Sequence, residues 1–121
     1  MKIIPIMKSS DPRRSIDFYT QVLDFTQTYA DSSQDEFPFT LNNGEATLQL
    51  SHEGHFRTPV NFFLHSPLEV NALFEKYVSR GLKHDHPDSP VHQGPLDQTW
   101  GTREFYVNDP DGNTLRFCAW Y

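Results

Sequence analysis

Apolar positions along the chain alternate between two spacings, and the alternation occurs twice. Residues 2–8 (KIIPIMK) form a short apolar run that reads as a strand. Asp11-Pro12 follows, an N-cap residue with proline at the first helical position, where the missing N–H has no intrahelical partner to lose. Ile16, Tyr19, Val22 and Leu23 then recur at helical spacing until the pattern stops near Asp24. Strands are predicted at about 25–30, 37–41 and 46–51, with Asn42-Asn43-Gly44 marking a hairpin because Asn and Gly tolerate positive φ. The first half thus reads strand, helix, three strands.

The second half repeats the order. VNFFLH (60–65) reads as a strand, and Ser66-Pro67-Leu68-Glu69 is a capping box with proline at the first helical position. Val70, Leu73, Phe74, Tyr77 and Val78 make a continuous helical stripe that ends at Gly81. A weak strand near 82–86, a loop rich in Pro, Asp and His over 87–99, a strand at 102–108, a turn at Asp109-Pro110-Asp111-Gly112 and a closing strand at 113–119 complete the reading. Asp11-Pro12 precedes Ser66-Pro67 by the same interval that separates Tyr19 from Phe74 and Leu23 from Val78. Thr47-Leu48-Gln49-Leu50 likewise aligns with Thr114-Leu115-Arg116-Phe117. Such a repeat predicts two similar units, about 1–56 and 57–121, in a single α+β domain, each burying one sheet face under its helix.

Composition narrows the function classes. The chain has 121 residues, enough for one domain of ordinary size, and 36% hydrophobic content supplies a core. Sixteen acidic against ten basic side chains give a net charge of −6, which disfavours a nucleic-acid partner and suits a neutral or cationic small molecule. The longest apolar runs fall far short of the roughly 20 residues that span a bilayer, and the first residues lack the pattern of a secretory signal, so no membrane partner and a cytoplasmic location are expected. One cysteine, Cys118, cannot close an internal disulfide.

Several segments carry the likeness to a known family. Asp11, Arg14-Ser15-Ile16-Asp17-Phe18-Tyr19 and Val22-Leu23 in the first half, with Trp100-Gly101 and Asp109-Pro110-Asp111-Gly112-Asn113 in the second, resemble the vicinal oxygen chelate superfamily of glyoxalases, bleomycin resistance proteins and extradiol dioxygenases. The likeness extends over essentially the whole chain, with one departure: Asp24 stands where the family usually has glycine. It implies two tandem βαβββ modules forming a curled mixed sheet around a cavity.

In metalloenzymes of that superfamily, His, Glu or Gln on the first and last strands of each module hold a divalent ion. The corresponding positions here are Pro5 (or Ile4), Gln49, Asn61 (or Val60) and Arg116. Proline and isoleucine have no donor, Asn and Gln offer only neutral amides, and Arg116 places a permanent cation where a carboxylate should neutralise the metal. Guanidinium and dication a few Å apart repel by several kcal/mol at the effective dielectric of a partly buried site. The expectation is therefore no metal, no cofactor and no catalytic residue.

Period-two alternation assigns the cavity lining. Thr114, Arg116 and Cys118 share one face of the last strand, Thr47, Gln49 and Ser51 the matching face in the first module, and Asn61, Phe63 and His65 the matching face of 60–65. Trp100, beside Gly101, is placed either to stack on a flat ligand or to serve as a core or dimer-interface aromatic. For Arg116 the alternatives are a salt bridge with Glu45 or another carboxylate, and direct ligand contact. The candidate ligand-binding residues are Gln49, Asn61, Phe63, His65, Trp100 and Arg116.

Other polar groups offer less. His52 and His55 lack the spacing of a zinc-binding helix, which needs three residues between two ligands on one face. His84, His86 and His92 could form a surface metal site, although loop histidines are more commonly solvated, and Asp35-Glu36 reads as a solvated loop. The resemblance then implies a metal-independent protein that sequesters a drug or other hydrophobic or cationic ligand in the cavity of a homodimer, as bleomycin resistance proteins do. The alternative is a glyoxalase-like lyase or isomerase, or a dioxygenase-like enzyme, with a displaced metal site.

Overall fold

The structure, a computed structural model, describes residues 1–28, 38–53, 59–84 and 94–121. Its elements run β1 (Ile6–Lys8), α1 (Pro12–Asp17), a π-helical turn (Phe18–Val22), β2 (Thr26–Gln27), β3 (Phe39–Asn43), β4 (Ala46–Ser51), β5 (Val60–Phe63), α2 (Pro67–Ser79), β6 (Leu96–Asp97), β7 (Thr102–Asn108) and β8 (Thr114–Trp120). The strands form two four-stranded sheets, ordered β1-β4-β3-β2 and β5-β8-β7-β6. Both use one pattern: the first strand of the module pairs in parallel with the last, and the other neighbours are antiparallel. The fold is therefore α+β with two tandem βαβββ modules.

Two compact units contain these sheets. One comprises residues 1–58 with Asp109–Asn113, the other Pro59–Asn108 with Thr114–Tyr121. In the first, Met7, Ile16, Tyr19, Leu23, Leu41, Leu48 and Leu50 are buried. Asp11 caps α1, its side chain accepting from the Arg14 N–H at 3.2 Å. The helix widens into its π turn and stops at Leu23, whose N–H donates to the Phe18 carbonyl at 3.1 Å. The hairpin turns at Gly44, where φ is +57°, in keeping with the Asn-Asn-Gly signal.

The turn Asp109–Asn113 is built around one carboxylate. Asp109 Oδ1 accepts the N–H groups of Asp111 at 2.9 Å and Asn113 at 2.8 Å; Oδ2 accepts the Asn113 amide at 2.8 Å and the Tyr19 hydroxyl at 2.7 Å. Asn113 also donates to the Lys8 carbonyl at 2.8 Å, and Asp111 accepts from the Ser10 N–H and hydroxyl. The DPDGN turn connects β7 to β8, as its sequence predicts, and is at the same time part of the first unit.

In the second unit, Ser66 caps α2 by accepting from the Glu69 N–H at 3.3 Å. Glu69 reaches back one residue further than a simple capping box, accepting from the His65 N–H at 2.8 Å. The helix packs on β7 and β8. Phe117 lies between Phe62 and Phe105, with ring centroids 5.0 and 5.1 Å away and planes within 17° of parallel, and Tyr77 meets it edge-on at 5.5 Å.

One predicted strand is misplaced. Residues 82–84 form no strand, and 85–86 lie outside the described residues. Gly81, at φ +101°, turns the chain off α2, and the Leu82 N–H bonds back to the Tyr77 carbonyl at 3.0 Å, so this segment closes the helix. The fourth strand of the second sheet is instead Leu96–Asp97, which the proline- and histidine-rich composition of its surroundings concealed. No helix among the described residues is long and apolar enough to cross a membrane.

Candidate functional site

The second unit contains an open pocket of about 520 Å³ lined by Pro59, Asn61, Phe63, Trp100, Tyr106, Arg116 and Trp120. Its geometry follows from strand alternation. Arg116 and Trp120 share one face of β8, and parallel pairing sets Asn61 beside Arg116 and Phe63 beside Cys118. Tyr106 comes from β7, directly opposite Arg116. Four aromatic rings thus surround a small polar floor. Trp120 stacks on Phe63, centroids 5.7 Å apart and planes at 24°. Phe63, Trp100 and Trp120 are 51%, 55% and 59% exposed, so the unit leaves an aromatic surface uncovered around the pocket.

Beneath the floor lies a buried carboxylate. Glu104, 1% exposed, is the diagonal neighbour of Arg116 on the same sheet face. Its Oε2 accepts from Arg116 Nε at 2.8 Å, from Arg116 Nη2, and from the Thr102 hydroxyl at 2.8 Å; its Oε1 accepts from the Tyr106 hydroxyl at 2.7 Å. Burial pushes the Glu104 carboxyl up, but the hydrogen bonds from Arg116, Tyr106 and Thr102 outweigh it and hold the group below its ordinary value of 4.5. The hydrogen bond to Glu104 in turn raises the pKa of Arg116, and burial together with Glu104 raises that of Tyr106. The pair is ionised at neutral pH and carries no net charge.

The structure brings Asn61, Phe63, Trp100 and Arg116 around one pocket. It does not bring His65 there: β5 ends at Phe63, the Leu64 N–H makes a last bond to the Cys118 carbonyl, and the chain then turns into α2 with His65 exposed. Gln49 lies on β4 of the other unit, where its amide donates to the Thr40 hydroxyl at 3.2 Å. The salt-bridge partner of Arg116 is Glu104, not Glu45. Glu104, Tyr106 and Trp120 escaped the sequence reading, although period two puts Glu104 with Thr102 and Tyr106 on one face and Trp120 two residues past Cys118 on the face of Arg116.

The divalent ion of metalloenzyme relatives does not fit these residues. Register sets Ile6, rather than Pro5 or Ile4, beside Gln49, and isoleucine has no donor. In the second unit the corresponding neighbours are a neutral amide, Asn61, and a cation, Arg116. Both oxygens of Glu104 are already engaged. Among the described residues no group of three His, Cys, Asp or Glu side chains is placed to hold a metal. His84 is exposed with its ring edge-on to Phe74 at 5.5 Å, and His52 is also exposed. His55, His86, His92 and the pair Asp35-Glu36 lie outside the described residues.

Residues 7–117 match the model of the Glyoxalase/Bleomycin resistance protein/Dioxygenase superfamily, and the chain belongs to that family. Similar solved structures include a bleomycin resistance determinant encoded on the transposon Tn5, with 21% identity, TM-score 0.75, and 98% of this chain and 97% of the other covered. A bleomycin-binding protein from bleomycin-producing Streptomyces verticillus, complexed with copper(II)-bleomycin, has 22% identity and TM-score 0.72 over 100% and 97% of the two chains. A lactoylglutathione lyase from Agrobacterium tumefaciens has 15% identity and TM-score 0.73 over 98% and 92%. No curated protein sequence gives a match.

Proposed function

We propose that this protein is a non-catalytic binder of small molecules that sequesters a flat hydrophobic or cationic ligand, as the bleomycin-binding members of its family hold theirs. The observation that carries this reading is the charge-neutral pair Arg116–Glu104 beneath a pocket walled by Phe63, Tyr106, Trp100 and Trp120. Rings of this kind stack on planar ligands and attract cations through their faces, while a neutral floor does not repel a basic group. The net charge of −6 favours the approach of a cation. A homodimer completing the cavity, and a role in antibiotic resistance, belong to the same reading: the half-exposed aromatics are the surface that a second copy or a ligand would cover.

Calorimetric titration with bleomycin tests the drug class, and sedimentation analysis tests the dimer. Binding in the micromolar range or tighter by a dimeric species supports the proposal; the absence of binding at high micromolar concentration removes bleomycin-type drugs. Metal analysis of protein purified without chelators separates this reading from a metalloenzyme of the same fold, since stoichiometric bound zinc, nickel, manganese or iron would favour the enzyme.

A further inference from the structure

The geometry points to Glu104 as the residue that fixes the charge of the ligand: by neutralising Arg116 from below, it restricts the pocket to planar aromatic molecules without negative charge. This inference rests on the binding reading above and adds the determinant of selectivity. A partly exposed arginine in an aromatic pocket is, taken alone, a carboxylate or phosphate receptor, because its N–H fork matches those groups. Here the Nε–Nη2 edge of that fork is already turned onto a carboxylate. Nε and Nη2 both bond Glu104 Oε2, and only 16% of the Arg116 side chain is exposed, whereas that of Glu104 is fully enclosed.

An incoming anion therefore meets a cation whose field is cancelled by a fixed carboxylate that water does not screen. Thr102 and Tyr106 hold that carboxylate in place, so it cannot swing aside to release Arg116. The remaining pocket groups, Asn61 and the aromatic rings, bear no charge. Of one ring system in several charge states, the pocket accepts the neutral and cationic forms and rejects the anion.

Calorimetry with three naphthalene probes tests this: 2-naphthamide, 2-naphthoate and (2-naphthylmethyl)trimethylammonium. The wild-type protein is expected to bind the amide and the ammonium at least about tenfold more tightly than the carboxylate, the scale of one charge-assisted hydrogen bond. Glu104→Gln, which keeps the side-chain shape, is expected to gain about tenfold for naphthoate and to lose affinity for the ammonium. Should Glu104→Gln fail to fold, as judged by circular dichroism, Arg116→Gln provides the opposite charge change and is expected to favour the ammonium further. Equal or tighter binding of naphthoate by the wild type, or an order unchanged by either substitution, overturns the inference while leaving the pocket a binding site. If no probe binds the wild type at high micromolar concentration, the binding reading fails with it.

Discussion

Glu104 and Arg116 lie diagonally across the β7–β8 ladder, the Glu104 side chain fully enclosed and that of Arg116 16% exposed at the pocket floor. Removing either partner leaves a buried or nearly buried charge without its counter-ion. Arg116→Met is expected to cost about 2–4 kcal/mol, the lower side of the usual loss for a broken buried pair because Arg116 retains some solvent. Urea unfolding checks this, and a loss below about 0.5 kcal/mol, the level of an ordinary surface substitution, would contradict it.

The same carboxylate predicts an acid dependence. The pKa of Glu104 is depressed in the folded protein, so its contribution to stability is present above its ordinary value of 4.5 and is lost as pH falls through the lower folded value. Unfolding free energy measured across that range should fall toward acid pH in the wild type and more shallowly in Glu104→Gln.

Asp109 should behave in the opposite sense. Burial raises its pKa above the ordinary 3.8, although bonds from Asn113, Tyr19 and the Asp111 N–H partly offset the effect. A raised folded value means that its contribution is present below 3.8 and is lost as pH rises through the folded value. The stability difference between wild type and Asp109→Asn should therefore shrink or change sign as pH increases from acid to neutral. Tyr19→Phe removes one of the donors holding the ionised form and is expected to cost about 1–3 kcal/mol at neutral pH.

Phe117 belongs to the aromatic core of the second unit. It is 3% exposed and packed between Phe62 and Phe105 with Tyr77 at its edge, so Phe117→Ala should cost about 3–5 kcal/mol. Thermal unfolding with intact secondary structure at low temperature would show it.

Trp100 separates binding from folding. It is 55% exposed, so Trp100→Ala should change stability by no more than about 0.5 kcal/mol. Loss of one stacking partner should weaken binding of a planar ligand by up to about tenfold. Calorimetry and chemical denaturation on the same preparations measure both.

Local signals in the sequence carried most of the fold. Asp11-Pro12 and Ser66-Pro67 start their helices because capping and a fixed proline φ act within a few residues, and the matching order of elements predicts two sheets with matching topology. Alternation along β8 gave the face of Arg116, but its partner depends on cross-strand register, which places Glu104 diagonally from it and leaves Glu45 on the other hairpin. Register also put Ile6 beside Gln49. His65 followed the alternation on paper, yet the strand ends two residues earlier because Ser66 begins the cap of α2. Leu96–Asp97 pairs with β7 in the absence of any alternating apolar pattern, with Asp97 bonded to Arg103 at 3.0 Å. Only the tertiary arrangement supplies that strand.

The turn Asp109–Asn113 belongs to the first unit, where it occupies the Tyr19 hydroxyl and the Lys8 carbonyl. On the ribosome, the amino-terminal sheet therefore waits for residue 113 to be synthesised before its polar groups are all satisfied. At about 5–20 residues per second, roughly three to eleven seconds pass between translation of Thr58 and completion of that turn at Asn113. Early truncation products should therefore be good chaperone substrates rather than miniature folded proteins.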